Sequence, residues 1–153
     1  MTEGIESYLN GAGVDYKAHT VEGPTVTAQD AAIQLQVPLQ MIIKTIVFTD
    51  EKNSPVLAIL TGDRRVDRRK LSAVLGVSKV KIASPEATKN LTGFEVGVMP
   101  PVGHRDRIMT VIDRNVMSLQ KVYGGDGIPK VLIEIAPGDI ARLSNAKVAD
   151  ISE

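Results

Sequence analysis

Ile42-Ile43-Lys44-Thr45-Ile46-Val47-Phe48 is a run in which one ammonium interrupts apolar and β-branched side chains. That composition predicts a β-strand. Asp50 to Pro55 then reads as a turn and Val56 to Leu60 as a partner strand, so the two predict a hairpin at the centre of a sheet. Side chains two apart on a strand share a face, which groups Lys44 with Ile42, Ile46 and Phe48. A lone ammonium on such a face is costly to desolvate. Either its head snorkels to the surface at a strand end or it faces a pocket.

Working outward, Ile5, Tyr8, Leu9 and Ala12 keep a helical period that Gly11 and Gly13 stop, and Val14, Tyr16, Ala18 and Thr20 alternate as a strand. Thr27 with Asp30 resembles a capping box opening a helix that buries Ala28, Ala31, Ala32 and Leu35 and that Pro38 ends. Asp67 is placed to cap a helix over Arg68–Leu75, with Gly76 as its stop. Val80 to Ala83 reads as a strand, and Ser84-Pro85-Glu86 starts another helix. Ile108 to Ile112 and Val131 to Ile135 supply further strands, and Pro137 to Leu143 a last short helix. The mixed order predicts an α+β fold rather than a doubly wound sheet.

With 153 residues, 43% of them hydrophobic, the chain fits one domain with its own core, 1–153. Cysteine is absent, which excludes disulfides, thiolate nucleophiles and cysteine-held zinc. His19 and His104 are too few for most metal sites, so neither a metal nor a cofactor is expected. Met1-Thr2-Glu3-Gly4 does not open a leader, and no apolar run approaches the ~18 residues of a membrane span. A soluble, unexported protein of the cytoplasm is expected, with no membrane contact.

The formal net charge of zero conceals a separation: residues 1–60 carry −4, residues 61–121 carry +6 and residues 122–153 carry −2. Arg64, Arg65, Arg68, Arg69 and Lys70 crowd the start of one helix, where the macrodipole disfavours cations. Two readings stand: a solvated face offset by Asp63 and Asp67, or a patch that contacts phosphates. Phe48, Phe94, Tyr8, Tyr16 and Tyr123 are the only aromatics, which argues against a broad stacking platform for single strands.

No G-x-S-x-G elbow, P-loop or H-E-x-x-H is present, and Gly11-Ala12-Gly13 lacks the third glycine of a dinucleotide fingerprint. Gly97-Val98-Met99-Pro100-Pro101-Val102-Gly103 is a stiff loop whose glycines and prolines fix main chain instead of offering side-chain chemistry. A cationic anchor facing a rigid backbone wall is the arrangement these two features suggest.

Taken in order, Thr27-Ala28-Gln29-Asp30-Ala31-Ala32, Ile43-Lys44-Thr45-Ile46-Val47, Thr61-Gly62-Asp63-Arg64-Arg65-Val66-Asp67, Thr92-Gly93-Phe94 and the Gly97–Gly103 loop resemble the YbaK-type aminoacyl-tRNA deacylase family. This is also called the prolyl-tRNA-synthetase-associated or editing domain. The likeness runs from about Ile5 to Ile151. It implies a small α+β fold around a curved, barrel-like mixed sheet, and hydrolysis in trans of mischarged aminoacyl-tRNA esters. An active-site lysine of the family matches Lys44, and its G-x-x-x-P loop matches Gly97 to Pro101. Lys44 and Gly97 are accordingly the catalytic candidates, with Thr45, Val98, Met99, Pro100, Pro101, Gly103 and His104 as substrate contacts. The arginines and Lys70 become candidates for the tRNA acceptor stem. His104 has a bland alternative, an exposed loop histidine.

Many relatives carry serine or threonine just before the loop proline, whereas Met99 and Pro100 stand here and make an apolar wall. That favours a small uncharged amino acid, with tRNA(Pro) a candidate carrier. Gln36 replaces a common helix-ending glycine, a structural change. Tyr16, His19, Asp113 and Gly124-Gly125 lie near the site in relatives, and each has a packing or turn explanation. Two other readings remain: a catalytically silent module that binds tRNA, a nucleotide or a synthetase, and an enzyme for some other small ester or aminoacyl-nucleotide.

Overall fold

Why the hairpin ends up central follows from how its residues alternate. A computed structural model describes residues 4–153; Met1–Glu3, part of the leader reading, lies outside the described residues. The elements in chain order are α1 (Glu6–Ala12), β1 (Tyr16–Thr20), α2 (Ala28–Leu35), a 3-10 turn (Leu39–Met41), β2 (Ile43–Asp50), β3 (Pro55–Thr61) and α3 (Arg68–Leu75). Then come β4 (Val80–Ile82), α4 (Pro85–Thr92), β5 (Met109–Asp113), α5 (Arg114–Met117), β6 (Val122–Gly125), β7 (Val131–Ile135), α6 (Pro137–Ser144) and β8 (Lys147–Ala149).

Strands β2 and β3 pair antiparallel, Lys44 opposite Leu60, inside a mixed five-stranded sheet ordered β4-β2-β3-β5-β8. Both faces are covered. Leu57 and Ile59 join Ile43 and Val47 in one core, while Val56 and Ala58 join Phe48 and Leu71 in another. The period of two thus sorts one strand into two cores. A sheet buried on both faces tolerates a near-continuous apolar strand, which is what Pro55–Thr61 supplies.

The α+β fold of mixed sheet and short helices is as expected, its strands divided between two sheets with no closed barrel among the described residues. β1, β7 and β6 form a separate antiparallel sheet, joined to the larger one through an isolated bridge between Ile42 and Tyr123. Strand β6 is missing from the sequence reading because Gly124-Gly125 looks like a turn; both glycines are strand residues beneath close neighbours. β8 is three residues long and mostly exposed, so it carries no apolar alternation.

The caps follow their residues. Thr27 Oγ1 accepts from the Asp30 amide at 3.0 Å, and the Thr27 amide donates to Asp30 Oδ2 at 3.3 Å, completing the capping box. α2 ends not at Pro38 but at Gln36, whose φ of 57° makes the left-handed turn that glycine makes more cheaply. Asp67 caps α3 by accepting from the amides of Arg69 and Lys70. Among the described residues no helix is long and apolar enough to cross a membrane.

Candidate functional site

Strand β4 covers only the Phe48–Asp50 half of the outer edge of β2. The uncovered half, Ile43–Ile46, lines a cavity of about 440 Å³. Its other walls are the start of α2 (Thr27, Ala28, Ala31), Gly62 after β3, the loop residues Val96, Gly97 and Met99, and Gly125 and Leu132 of the small sheet. Lys44 therefore faces a pocket. No ion pair to it is present among the described residues. Burial depresses its pKa, the nearby Arg65 guanidinium depresses it further, and Asp63 opposes both.

Glycines let main chain form the wall. Gly97 has φ 95°, and a Cβ there would meet the Val26 carbonyl oxygen at 3.0 Å. Gly125 lies beneath, where a Cβ would meet the carbonyl oxygens of Val98 and Met99 at 2.6 and 2.7 Å. The segment Gly97–Met99 is thus packed between Val26 and β6, and Gly127 fixes it by donating its amide to the Val98 carbonyl at 2.9 Å.

Of the residues expected to contact substrate, Thr45 and Met99 line this cavity with Lys44 and Gly97. Val98, Pro100, Pro101, Gly103 and His104 do not. Pro100 and Pro101 are buried, and Gly103 with φ 85° turns the chain against Ile5. The His104 Nε2–H donates to the Pro100 carbonyl at 2.8 Å, and its ring stands edge-on to Phe94 at 5.4 Å between centroids. Burial lowers the imidazole pKa, and Nδ1 has no partner. Neither of the roles foreseen for His104, pocket lining or exposed loop residue, describes it: the ring is a clamp on the loop's second half. Pro101, Gly103 and His104 lie instead on a separate cavity of about 270 Å³ with Tyr8 and Leu143.

The basic cluster divides too. Arg65, Arg68 and Arg69 are exposed, and Arg64 is half-buried. Lys70 is engaged: its Nζ donates to Asp150 Oδ2 at 3.0 Å and to the Ser152 carbonyl at 2.8 Å. The turn carrying Arg65 is held by the chain's last residues, Glu153 donating to the Arg65 carbonyl at 2.9 Å and Asp67 to that of Ile151 at 2.7 Å.

Sequence reasoning passed over Val26, Ala28, Gly62 and Leu132 as wall residues. Gly62 is required by close approach, since a Cβ there would meet the Leu39 carbonyl at 2.9 Å and the Ala28 Cβ at 3.0 Å, contacts between distant segments that sequence does not display. Among the described residues the cavity lining contains no carboxylate and no imidazole. Among the described residues no group of three or more His, Asp or Glu side chains could hold a metal ion.

Known proteins are similar to this chain in sequence and fold. An Enterococcus faecalis (strain ATCC 700802 / V583) protein named "Putative Cys-tRNA(Pro)/Cys-tRNA(Cys) deacylase EbsC" is 27% identical over 127 residues, covering 83% of this chain and 77% of its own. A proline–tRNA ligase of Nitratidesulfovibrio vulgaris (Hildenborough) is 36% identical over 86 residues, 56% of this chain but 14% of the ligase. The crystal structure of hypothetical protein APE2540 superposes with a TM-score of 0.92 at 32% identity, covering 97% of this chain and 99% of that one. The family described as the aminoacyl-tRNA editing domain matches residues 22–143. Fold and sequence agree: the chain belongs to the aminoacyl-tRNA editing domain family.

Proposed function

We propose that this cavity hydrolyses, in trans, the ester that joins a wrong amino acid to the 3′ end of a tRNA. The observation that carries the reading is the half-buried Lys44, without a carboxylate partner, in one cavity with the Gly97–Met99 main chain. A partly desolvated ammonium attracts an anionic oxygen more strongly than an exposed one. Lys44 holds the terminal phosphate or the ester oxygens. The backbone of Gly97 orients the carbonyl, and Thr45 adds a hydroxyl contact. Met99, Ala28 and Ala31 give an apolar wall that suits an uncharged cargo, taken here to be a small amino acid; the name of EbsC, which gives tRNA(Pro) and tRNA(Cys), and the proline–tRNA ligase match support tRNA(Pro) as carrier.

No carboxylate or imidazole stands in the lining, so the attacking water is oriented by the substrate's own 2′-hydroxyl or gives its proton to the substrate's amine. Water adds to the carbonyl, the bond to the ribose oxygen breaks, and free amino acid and uncharged tRNA leave. Arg65, Arg68 and Arg69 approach acceptor-stem phosphates. The partners are then aminoacyl-tRNA and an aminoacyl-tRNA synthetase whose errors are cleared, in the cytoplasm. The missing base also favours one alternative, a silent module that binds tRNA, a nucleotide or a synthetase without turnover.

A deacylation panel separates them. Purified protein is given several mischarged tRNAs, correctly charged prolyl-tRNA and free aminoacyl esters. Release of a small amino acid from mischarged tRNA, with correct pairs and free esters spared, is expected. Binding of tRNA without turnover would establish the silent module, and equal attack on free esters a general esterase.

A further inference from the structure

Two valines on the cavity rim are held out into solvent. Val26 is 66% exposed and Val96 56%, and both line the mouth of the Lys44 cavity. Their backbones are pinned. Thr25, immediately before Val26, is buried and accepts the Lys130 amide at 3.1 Å, and Thr27, immediately after, caps α2. Val96 lies between Glu95, whose carbonyl accepts the Val98 amide at 3.4 Å, and Gly97, which packs on Val26. The two apolar side chains therefore stand on the rim of one cavity, and their β-branching leaves little rotamer freedom to lose on binding.

The carboxylate next to Val96 is neutralised. Glu95, beside Val96, is paired with Lys89 at 2.8 Å. Inside the cavity Lys44 supplies positive charge, to which Arg65 nearby adds and which Asp63 partly offsets. No aromatic side chain lines the cavity. A flat base arriving there meets aliphatic surface in place of a ring.

Resting on the function proposed above, we infer that Val26 and Val96 form an apolar seat for the adenine of the tRNA's terminal nucleoside. When the ester lies against Lys44 and Gly97, the ribose carrying it must stand at the mouth. Its base is then the nearest large apolar group of the substrate. Burial of the base against the two valines sets the depth at which the ester enters, so both are positioning residues that act on binding more than on chemistry.

The test compares two substrates: a mischarged tRNA ending in adenosine, and the same tRNA with an abasic terminal ribose carrying the same amino acid. For the unaltered protein the abasic substrate should show a KM about tenfold higher at similar kcat, the scale expected for losing a few methyl groups' worth of buried surface. The double variant Val26→Ser, Val96→Ser should raise KM by about the same factor on the adenosine substrate and leave the abasic one unchanged. Because both side chains are exposed, its melting temperature should match the parent. Equal losses on both substrates, or none on either, would overturn the seat. If the unaltered protein turns over neither substrate, the editing reading itself falls and the inference falls with it; full turnover with equal KM on both removes the seat alone.

Discussion

Replacing Gly125 by alanine adds one methyl group where the backbone leaves no room. Gly125 is absent from the glycines with positive φ, so alanine can adopt its backbone and the effect is purely steric. The new Cβ would stand 2.6 Å from the Val98 carbonyl oxygen and 2.7 Å from that of Met99. Ordinary contact begins near 3.4 Å, so the loop must retreat by about 0.7–0.8 Å. Neither obstacle is a flexible side-chain end; both are main chain, tied below by the Gly127 amide. Overpacking of this kind costs about 1–3 kcal/mol. Displacement of a positioning wall by up to about 1 Å can cost about a hundredfold in rate. Thermal denaturation and single-turnover deacylation of a mischarged tRNA should therefore both change, the rate by far more than instability alone explains at a temperature where the variant is folded. An alanine variant with parental melting temperature and parental rate would refute the claim that this glycine positions the loop.

Asp126 is fully buried; its Oδ1 accepts the Ile5 amide at 3.0 Å and its Oδ2 has no partner. Burial pushes its carboxyl pKa from 3.8 up to about 6, against the Ile5 hydrogen bond and with help from Glu6. A raised carboxyl pKa means that the folded state holds the proton more tightly, so its stabilising effect is full below about pH 4 and is lost as pH rises through about 6. The difference is about 3 kcal/mol at most. Denaturant melts from pH 4 to 7 should show stability falling in that window, and Asp126→Asn should flatten the slope; an unchanged slope would contradict the assignment. Among the cations, Arg65, Arg68 and Arg69 changed together to glutamine should weaken tRNA binding and reduce the slope of log affinity against log salt by about 2–3. Lys70→Met should mainly lower the melting temperature, since its ammonium is held by Asp150 and Ser152. The reverse ranking in filter-binding assays would show that Lys70, not the arginines, faces tRNA.

Local chemistry made much of the fold legible. Thr27 with Asp30, Asp67 with Gly76 and Ser84-Pro85 each declare a helix boundary through hydrogen bonds that close within a few residues. The hairpin around Lys44 was readable because both strands are near-continuous apolar runs on a sheet covered on two faces. What sequence could not give was set by contacts between distant segments. Gly124-Gly125 looks like a turn until Ile43 and the Val98 carbonyl are seen above it. The Gly97–Gly103 loop looks like a single wall, yet only its first half meets the cavity, because His104 draws the Pro100 end into the core. Whether Lys44 snorkels or enters a pocket depended on where β4 stops pairing with β2.

The central claim is that one ammonium in the cavity grips the substrate while main chain orients the ester. Lys44→Ala, measured by deacylation of a mischarged tRNA alongside its melting curve, tests that most directly. The account predicts a loss of about a hundredfold or more in rate, with the melting temperature held or raised because a desolvated charge has been removed. A folded Lys44→Ala protein that deacylates at the parental rate would contradict it.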